Sequence, residues 1–209
     1  MLNKLKTVGQ AYYDFCEYEL KDIEKSCCLN ESCKMIDFDR AKEKVVALHN
    51  LQTTSSCDGL QICPETNTIN FIEMKGFEEF KRNNQVSDKT VKKQTKKFDF
   101  EKKLEQSYFL LQTILSSSNF CAAKEDYKNF QSVQKRYFIV TDLKLEQNGI
   151  ENILLSLNFL AETSNIDAMI ETCLQEKVND INVCFLTQKP RLVSCEKICE
   201  LVCEREEIA

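Results

Sequence analysis

Apolar residues recur along this chain with two different periods. In "QAYYDFCEYELKDIEK" (10–25), Tyr12, Phe15 or Cys16, Tyr18 or Glu19, and Ile23 fall at helical spacing, and "RAKEKVVALHNL" (40–51) puts Ala41, Val45 and Leu48 on one side, with Asp37 or Asp39 as a cap. Two helices are predicted there. Residues 57–63 and 68–75 are short β-rich runs separated by the turn-like "PETN", which predicts a hairpin. In "FDFEKKLEQSYFLLQTILSS" (98–117), Phe100, Leu104, Tyr108, Leu111 and Ile114 or Leu115 form a stripe with charges opposite, the clearest helix of the chain. "RYFIVTD" (136–142) and "INVCFLT" (181–187) read as buried strands, separated by helical patterns at 150–162 and 166–178. After Pro190, "LVSCEKICELVCERE" reads as a closing amphipathic helix.

This order predicts an α/β protein with a mixed central sheet of about four or five strands flanked by helices. At 209 residues and 43% hydrophobic content, one domain over 1–209 is expected. No stretch of 18 apolar residues exists and the start lacks a secretory apolar run, so the chain is expected to be cytoplasmic, with no membrane partner. In that compartment twelve cysteines are expected to stay reduced and to pack as small apolar residues.

Scarcity excludes chemistry. One histidine, His49, rules out multi-histidine zinc centres, and four scattered glycines are too few for a phosphate-cradling loop. A cysteine hydrolase would have to pair His49 with Cys57 or Cys121, and no spacing supports one. His49 reads instead as a residue of a helix C-terminus. Catalysis, where present, must use carboxylates and lysines.

The hairpin carries such residues. If Pro64–Asn67 form the loop, Cys63 pairs with Thr68, Ile62 with Ile69, Leu60 with Phe71 and Asp58 with Glu73. Two carboxylates then face each other with Lys75 just beyond. Opposed like charges destabilise a sheet, and a divalent cation removes the repulsion; carboxylate oxygens suit Mg²⁺ or Mn²⁺. An adjacent lysine can hold an attacking water or neutralise charge developing on phosphorus. Between Lys81 and Lys103, nine basic residues stand against three acidic ones. Lys81, Arg82, Lys89, Lys92, Lys93, Lys96 and Lys97 are the candidates to track a phosphate backbone.

Asp58, fourteen intervening residues and Glu73-Met74-Lys75 on an apolar strand, with a helix before and a helix and strand after, resemble the core of the PD-(D/E)XK, or restriction-endonuclease-like, nuclease superfamily. The resemblance covers about 36–142 and leaves 143–209 as a C-terminal extension of helices and a strand. It implies a metal-dependent nuclease acting on DNA rather than RNA, with Asp58 and Glu73 as metal ligands, the Met74 carbonyl as a third, and Lys75 as the catalytic lysine. It also implies supporting roles for Glu43 and Gln106. The chain departs from the pattern in having Cys57 before Asp58 and in lacking the Gln-x-x-x-Tyr spacing of the exonuclease branch. The contrasting reading is a non-catalytic nucleic-acid-binding or scaffold protein on a degenerate nuclease fold.

Cys195, Cys199 and Cys203, with Cys27, Cys28 or Cys33, are similar to the one-plus-three cysteine arrangement of iron-sulfur exonucleases of the same superfamily. A straight helix spreads those three thiols over about 12 Å, too far for one cluster, so packing is expected there and an iron-sulfur cluster is not.

Overall fold

A computed structural model describes residues 1–24, 26–29, 31–83, 86–145 and 165–203. Helix α1 (Leu2–Tyr12) is followed by strand β1 (Glu17–Glu19) and a 3₁₀ turn (Leu20–Asp22). Strand β2 (Lys34–Asp37) runs into helix α2 (Phe38–His49), and the hairpin β3 (Gly59–Cys63) and β4 (Thr68–Lys75) comes next. Helices α3 (Glu78–Asn83), α4 (Asp88–Thr95), α5 (Phe100–Leu115) and α6 (Lys124–Ser132) lead to β5 (Gln134–Thr141). Helix α7 (Asn165–Asn179), β6 (Arg191–Ser194) and helix α8 (Cys195–Cys203) complete the described chain.

The architecture is α/β: one open, mixed six-stranded sheet in the order β1-β2-β3-β4-β5-β6, flanked by helices. The first four strands pair antiparallel, while β4–β5 and β5–β6 are parallel. The hairpin register is the expected one, with Leu60 opposite Phe71, Ile62 opposite Ile69 and Cys63 opposite Thr68. Alternation then sorts side chains to two faces. Leu60, Ile69, Phe71 and Ile139 join the larger core with Ala41 and Val45 of α2 and Leu104 and Leu111 of α5. Ile72, Met74, Phe138 and Val140 join a smaller one with Ile198 and Val202 of α8. Glu73 therefore lies on the face covered by α2 and α5.

Four expectations are corrected. The helix predicted over 10–25 ends at Tyr12, because Asp14 takes a left-handed conformation (φ 57°) and the chain turns into the edge strand β1. Phe15 folds back so closely on α1 that a Cβ at Gly9 would lie 2.0 Å from its ring. Residues 181–187 form no strand; Phe185 instead stacks on Tyr108 with ring centroids 4.0 Å apart, and the strand beside β5 is Arg191–Ser194. The last helix consequently starts at Cys195 rather than just after Pro190. Leu48, assigned to the apolar side of α2, is 55% exposed, and Phe38 takes its place in the core. The helix predicted at 150–162 lies outside the described residues.

The reduced state expected of the cysteines is also overturned for four of them. Cys28 is bonded to Cys195 and Cys33 to Cys199, with Cα separations of 5.1 and 5.4 Å. The pairs are 167 and 166 residues apart in sequence, a juxtaposition that only the folded sheet creates.

Candidate active site

Asp58 stands immediately before β3, held there by both neighbouring segments. Its backbone carbonyl accepts from Phe38 N at 3.0 Å, and its Oδ2 accepts from Met74 N at 2.6 Å. The polar face of α5 fixes the approach to that position. Ser107 Oγ accepts from Cys57 N at 2.8 Å and donates to Lys103 O at 2.8 Å, and Gln106 Oε1 accepts from Ser55 N at 2.7 Å and from the Ser55 hydroxyl. Residues 103, 106 and 107 are one helical face. That face pins residues 55–58 against the end of the hairpin.

Glu73 is completely buried. Its Oε1 accepts from Lys75 Nζ and, at 2.6 Å, from Lys103 Nζ. The Lys103 ammonium also reaches Asp58 Oδ1 at 3.3 Å, so one cation bridges the two carboxylates. Lys75 Nζ lies 3.8 Å from Asp58 Oδ2, donates to the Met74 carbonyl at 2.8 Å and sits 5.4 Å from the centroid of the Phe98 ring. Two carboxylates and two ammonium groups thus share a site in which Glu73 Oε2 is buried without a hydrogen-bond partner.

Electrostatics follow from this packing. Burial, with the charge of Asp58 second, pushes the Glu73 carboxyl above its ordinary range against the pull of Lys75 and Lys103. For Lys103 burial works the other way, but Glu73 and Asp58 outweigh it and hold the ammonium above the usual lysine value. The Cys57 thiol beside this group is raised by burial and by Glu73, so it is no nucleophile.

The residues predicted from sequence are therefore brought together unequally. Asp58, Glu73 and Lys75 converge. Gln106 positions the Ser55 backbone. Glu43 is exposed on α2, and the carboxylate of that helix nearer the site is Asp39, which accepts from Ser56 Oγ at 2.6 Å and from Lys42 at 2.9 Å. Of the basic run, Lys89, Lys92, Lys93, Lys96 and Lys97 are exposed on and just after α4, whereas Lys81 is paired with Asp167 at 2.9 Å and with Glu78. Arg82 is exposed at the end of α3.

Lys103 is the residue that sequence reasoning misses, because it reads as the last member of that basic run. The signal that singles it out is its spacing: it lies three and four residues before Gln106 and Ser107, on the face of α5 that meets the hairpin.

No protein-family model, curated protein or solved structure matches this chain.

Proposed function

We propose that the chain is a divalent-metal-dependent nuclease of the restriction-endonuclease-like type, hydrolysing phosphodiester bonds of DNA in preference to RNA. The carrying observation is the buried cluster of Asp58, Glu73 and Lys75 with an unpartnered Glu73 oxygen. A buried carboxylate oxygen left unpaired is costly, and a hard cation with oxygen ligands satisfies it. The donor set fits: Asp58 and Glu73 would hold Mg²⁺ or Mn²⁺, with the Met74 carbonyl free to join once Lys75 turns away from it. A bound ion of this kind polarises a phosphoryl oxygen and lowers the pKa of its water. The order helix α2, hairpin, helix α5 and parallel β5 supports the same reading, as does the resemblance of residues 36–142; the preference for DNA rests on the resemblance alone.

The side chains of this site divide the work. Asp58 and Glu73 aim their oxygens at one point, where the Lys103 ammonium now bridges them. Lys103 is 27% exposed at its side chain, on a flexible stem, and can yield that point and turn to the phosphate. Lys75, packed over Phe98, holds the attacking water and offsets charge developing on the phosphoryl oxygens. The exposed lysines of α4 give the duplex a sequence-independent hold.

The same two ammonium groups favour the second reading, a non-catalytic nucleic-acid-binding protein, since they neutralise the carboxylates without any metal. Incubation of plasmid and RNA with purified protein and Mn²⁺ separates the two. Cleavage of DNA by wild type, reduced at least about a hundredfold in Lys75→Met and Glu73→Gln, supports the nuclease. Binding without cleavage of either nucleic acid selects the second reading.

A further inference from the structure

A second cluster stands on the opposite face of the sheet. The Sγ atoms of Cys27, Cys28 and Cys195 lie within 4.8 Å of one another. The free thiol of Cys27 is 3.9 Å from Cys28 Sγ and 3.7 Å from Cys195 Sγ. A Zn–S bond of about 2.3 Å sets the S···S edges of a tetrahedral site at about 3.8 Å. Cys27 already stands at that spacing from both of the others, and the third edge, now the Cys28–Cys195 disulfide, opens on reduction. Cys199, now bonded to Cys33, follows Cys195 by four residues on α8, the spacing at which two side chains of one helix share a face and can reach a common ion. The surface pocket onto which Cys27 and Cys195 open gives an ion a way in, and its lining sets Glu78, Glu79, Asp142 and Glu196 against Arg82 and Lys144, an acidic balance that attracts a cation.

We propose that Cys27, Cys28, Cys195 and Cys199 form a thiolate zinc site that assembles when the two disulfides are reduced. The segment 26–33 and helix α8 are then tied by two disulfides in the oxidised chain and by Zn²⁺ in the reduced one. Each disulfide takes two electrons from the reductant, breaking one S–S bond and forming two S–H groups. Two thiols also supply the protons and leave as a disulfide, whereas a phosphine leaves as its oxide with water supplying the oxygen and both protons. The four ligand thiols pass their protons to solvent as four Zn–S bonds form, and Cys33 remains a thiol. Neither Asp58 nor Glu73 takes part, so the proposal stands apart from the nuclease reading.

The test uses the full chain without nucleic acid. Protein reduced with a phosphine and freed of metal is titrated with Zn²⁺ against a chromophoric chelator, and with Co²⁺ to read thiolate charge-transfer bands and the ligand field. One thiolate-bound ion per chain with tetrahedral cobalt and sulfur-to-cobalt charge-transfer bands is expected in the reduced protein and none of those bands in the oxidised one, whereas an ion held by Asp58 and Glu73 gives no thiolate band in either state. Cys27→Ser, which breaks no disulfide and so leaves the oxidised fold intact as a control, should weaken binding by about tenfold or more, while Cys16→Ser at an exposed site changes nothing. Absence of stoichiometric zinc in the reduced protein, or an unchanged affinity in Cys27→Ser, overturns the proposal. Retention of iron with inorganic sulfide after anaerobic purification overturns it in favour of a cluster.

Discussion

Asp58 and Glu73 look, from pairing alone, like two charges held in repulsion. The structure places Lys75 and Lys103 between them and gives Asp58 Oδ2 a backbone N–H, which makes Asp58 a structural acceptor as well as a candidate ligand. Asp58→Ala leaves the buried Met74 N–H unpaired and should cost about 1–3 kcal/mol without metal, measured by urea unfolding. Lys103→Met tests the electrostatics. Breaking a fully buried pair costs about 3–5 kcal/mol, and the partial exposure of Lys103 brings the expectation down to about 2–3 kcal/mol at neutral pH. Because the folded-state value of Lys103 is raised, its contribution is complete below the unfolded lysine value and is lost as pH rises through the folded one. Glu73 is also raised, so the folded state keeps its proton where the unfolded chain has released it, and that group favours folding as pH falls. The deficit of Lys103→Met should therefore shrink between pH 7.5 and pH 5, and Mn²⁺ should shift its melting temperature more than that of wild type. An unchanged deficit at both pH values would mean that Lys103 contributes packing rather than charge.

At the scale of elements, caps and faces decide more than propensity. Helix α2 starts where Asp37 Oδ1 accepts from Arg40 N at 3.2 Å, and Asp37→Ala should cost about 1 kcal/mol in unfolding free energy. Helix α4 shows why a lysine-rich stretch becomes ordered: a Ser87 capping box starts it, and Val91 and Thr95 bury its other side. Among the described residues its outward lysines make only local contacts: Lys97 donates to Gln94 Oε1 at 3.3 Å, and Lys92 pairs with Asp88 at 3.0 Å on the exposed face, an interaction worth little to stability. Replacing Lys92, Lys93, Lys96 and Lys97 by Gln should leave the fold intact and, on the proposed nucleic-acid-binding role, flatten the salt dependence of binding to duplex DNA by about 0.9 in logarithmic slope for each phosphate no longer neutralised. A folded quadruple variant with the wild-type slope would return this face to plain solvated surface.

For the whole molecule, the two disulfides join segments that lie far apart in sequence and meet on the smaller core. The first to form closes a very long loop; the second closes only the short ring left between them, so their contributions are not two equal shares. Reduction should lower the unfolding free energy by about 2–4 kcal/mol in total, read from denaturant curves with and without a phosphine. Loss of all folded structure on reduction would instead mean that the sheet depends on this staple.

Much of the candidate site is legible in the sequence because it is local. Asp58, Glu73 and Lys75 sit on one hairpin, where a four-residue turn and the two-residue alternation of strands leave a single register that buries Leu60, Ile62, Ile69 and Phe71 together. The stripe of α5 is legible for the same reason, since its period is written into consecutive residues. Parallel pairing is not local: Val140 meets Val193 across an intervening stretch whose own apolar run, 181–187, has the composition of a strand but packs as irregular chain against Tyr108. Edge strand β1 is hidden because three residues carry no period, and its pairing with β2 decides its form. Lys103 and the cysteines show the limit most directly. Amphipathic spacing says which helix face is buried, but only the packing of α5 on the hairpin puts an ammonium between two carboxylates, and only the closed sheet brings Cys28 and Cys33 to α8. Sequence by itself determined the elements whose hydrogen bonds and apolar periods close within a few residues; contacts between distant segments depend on the whole core, and tertiary structure decided those.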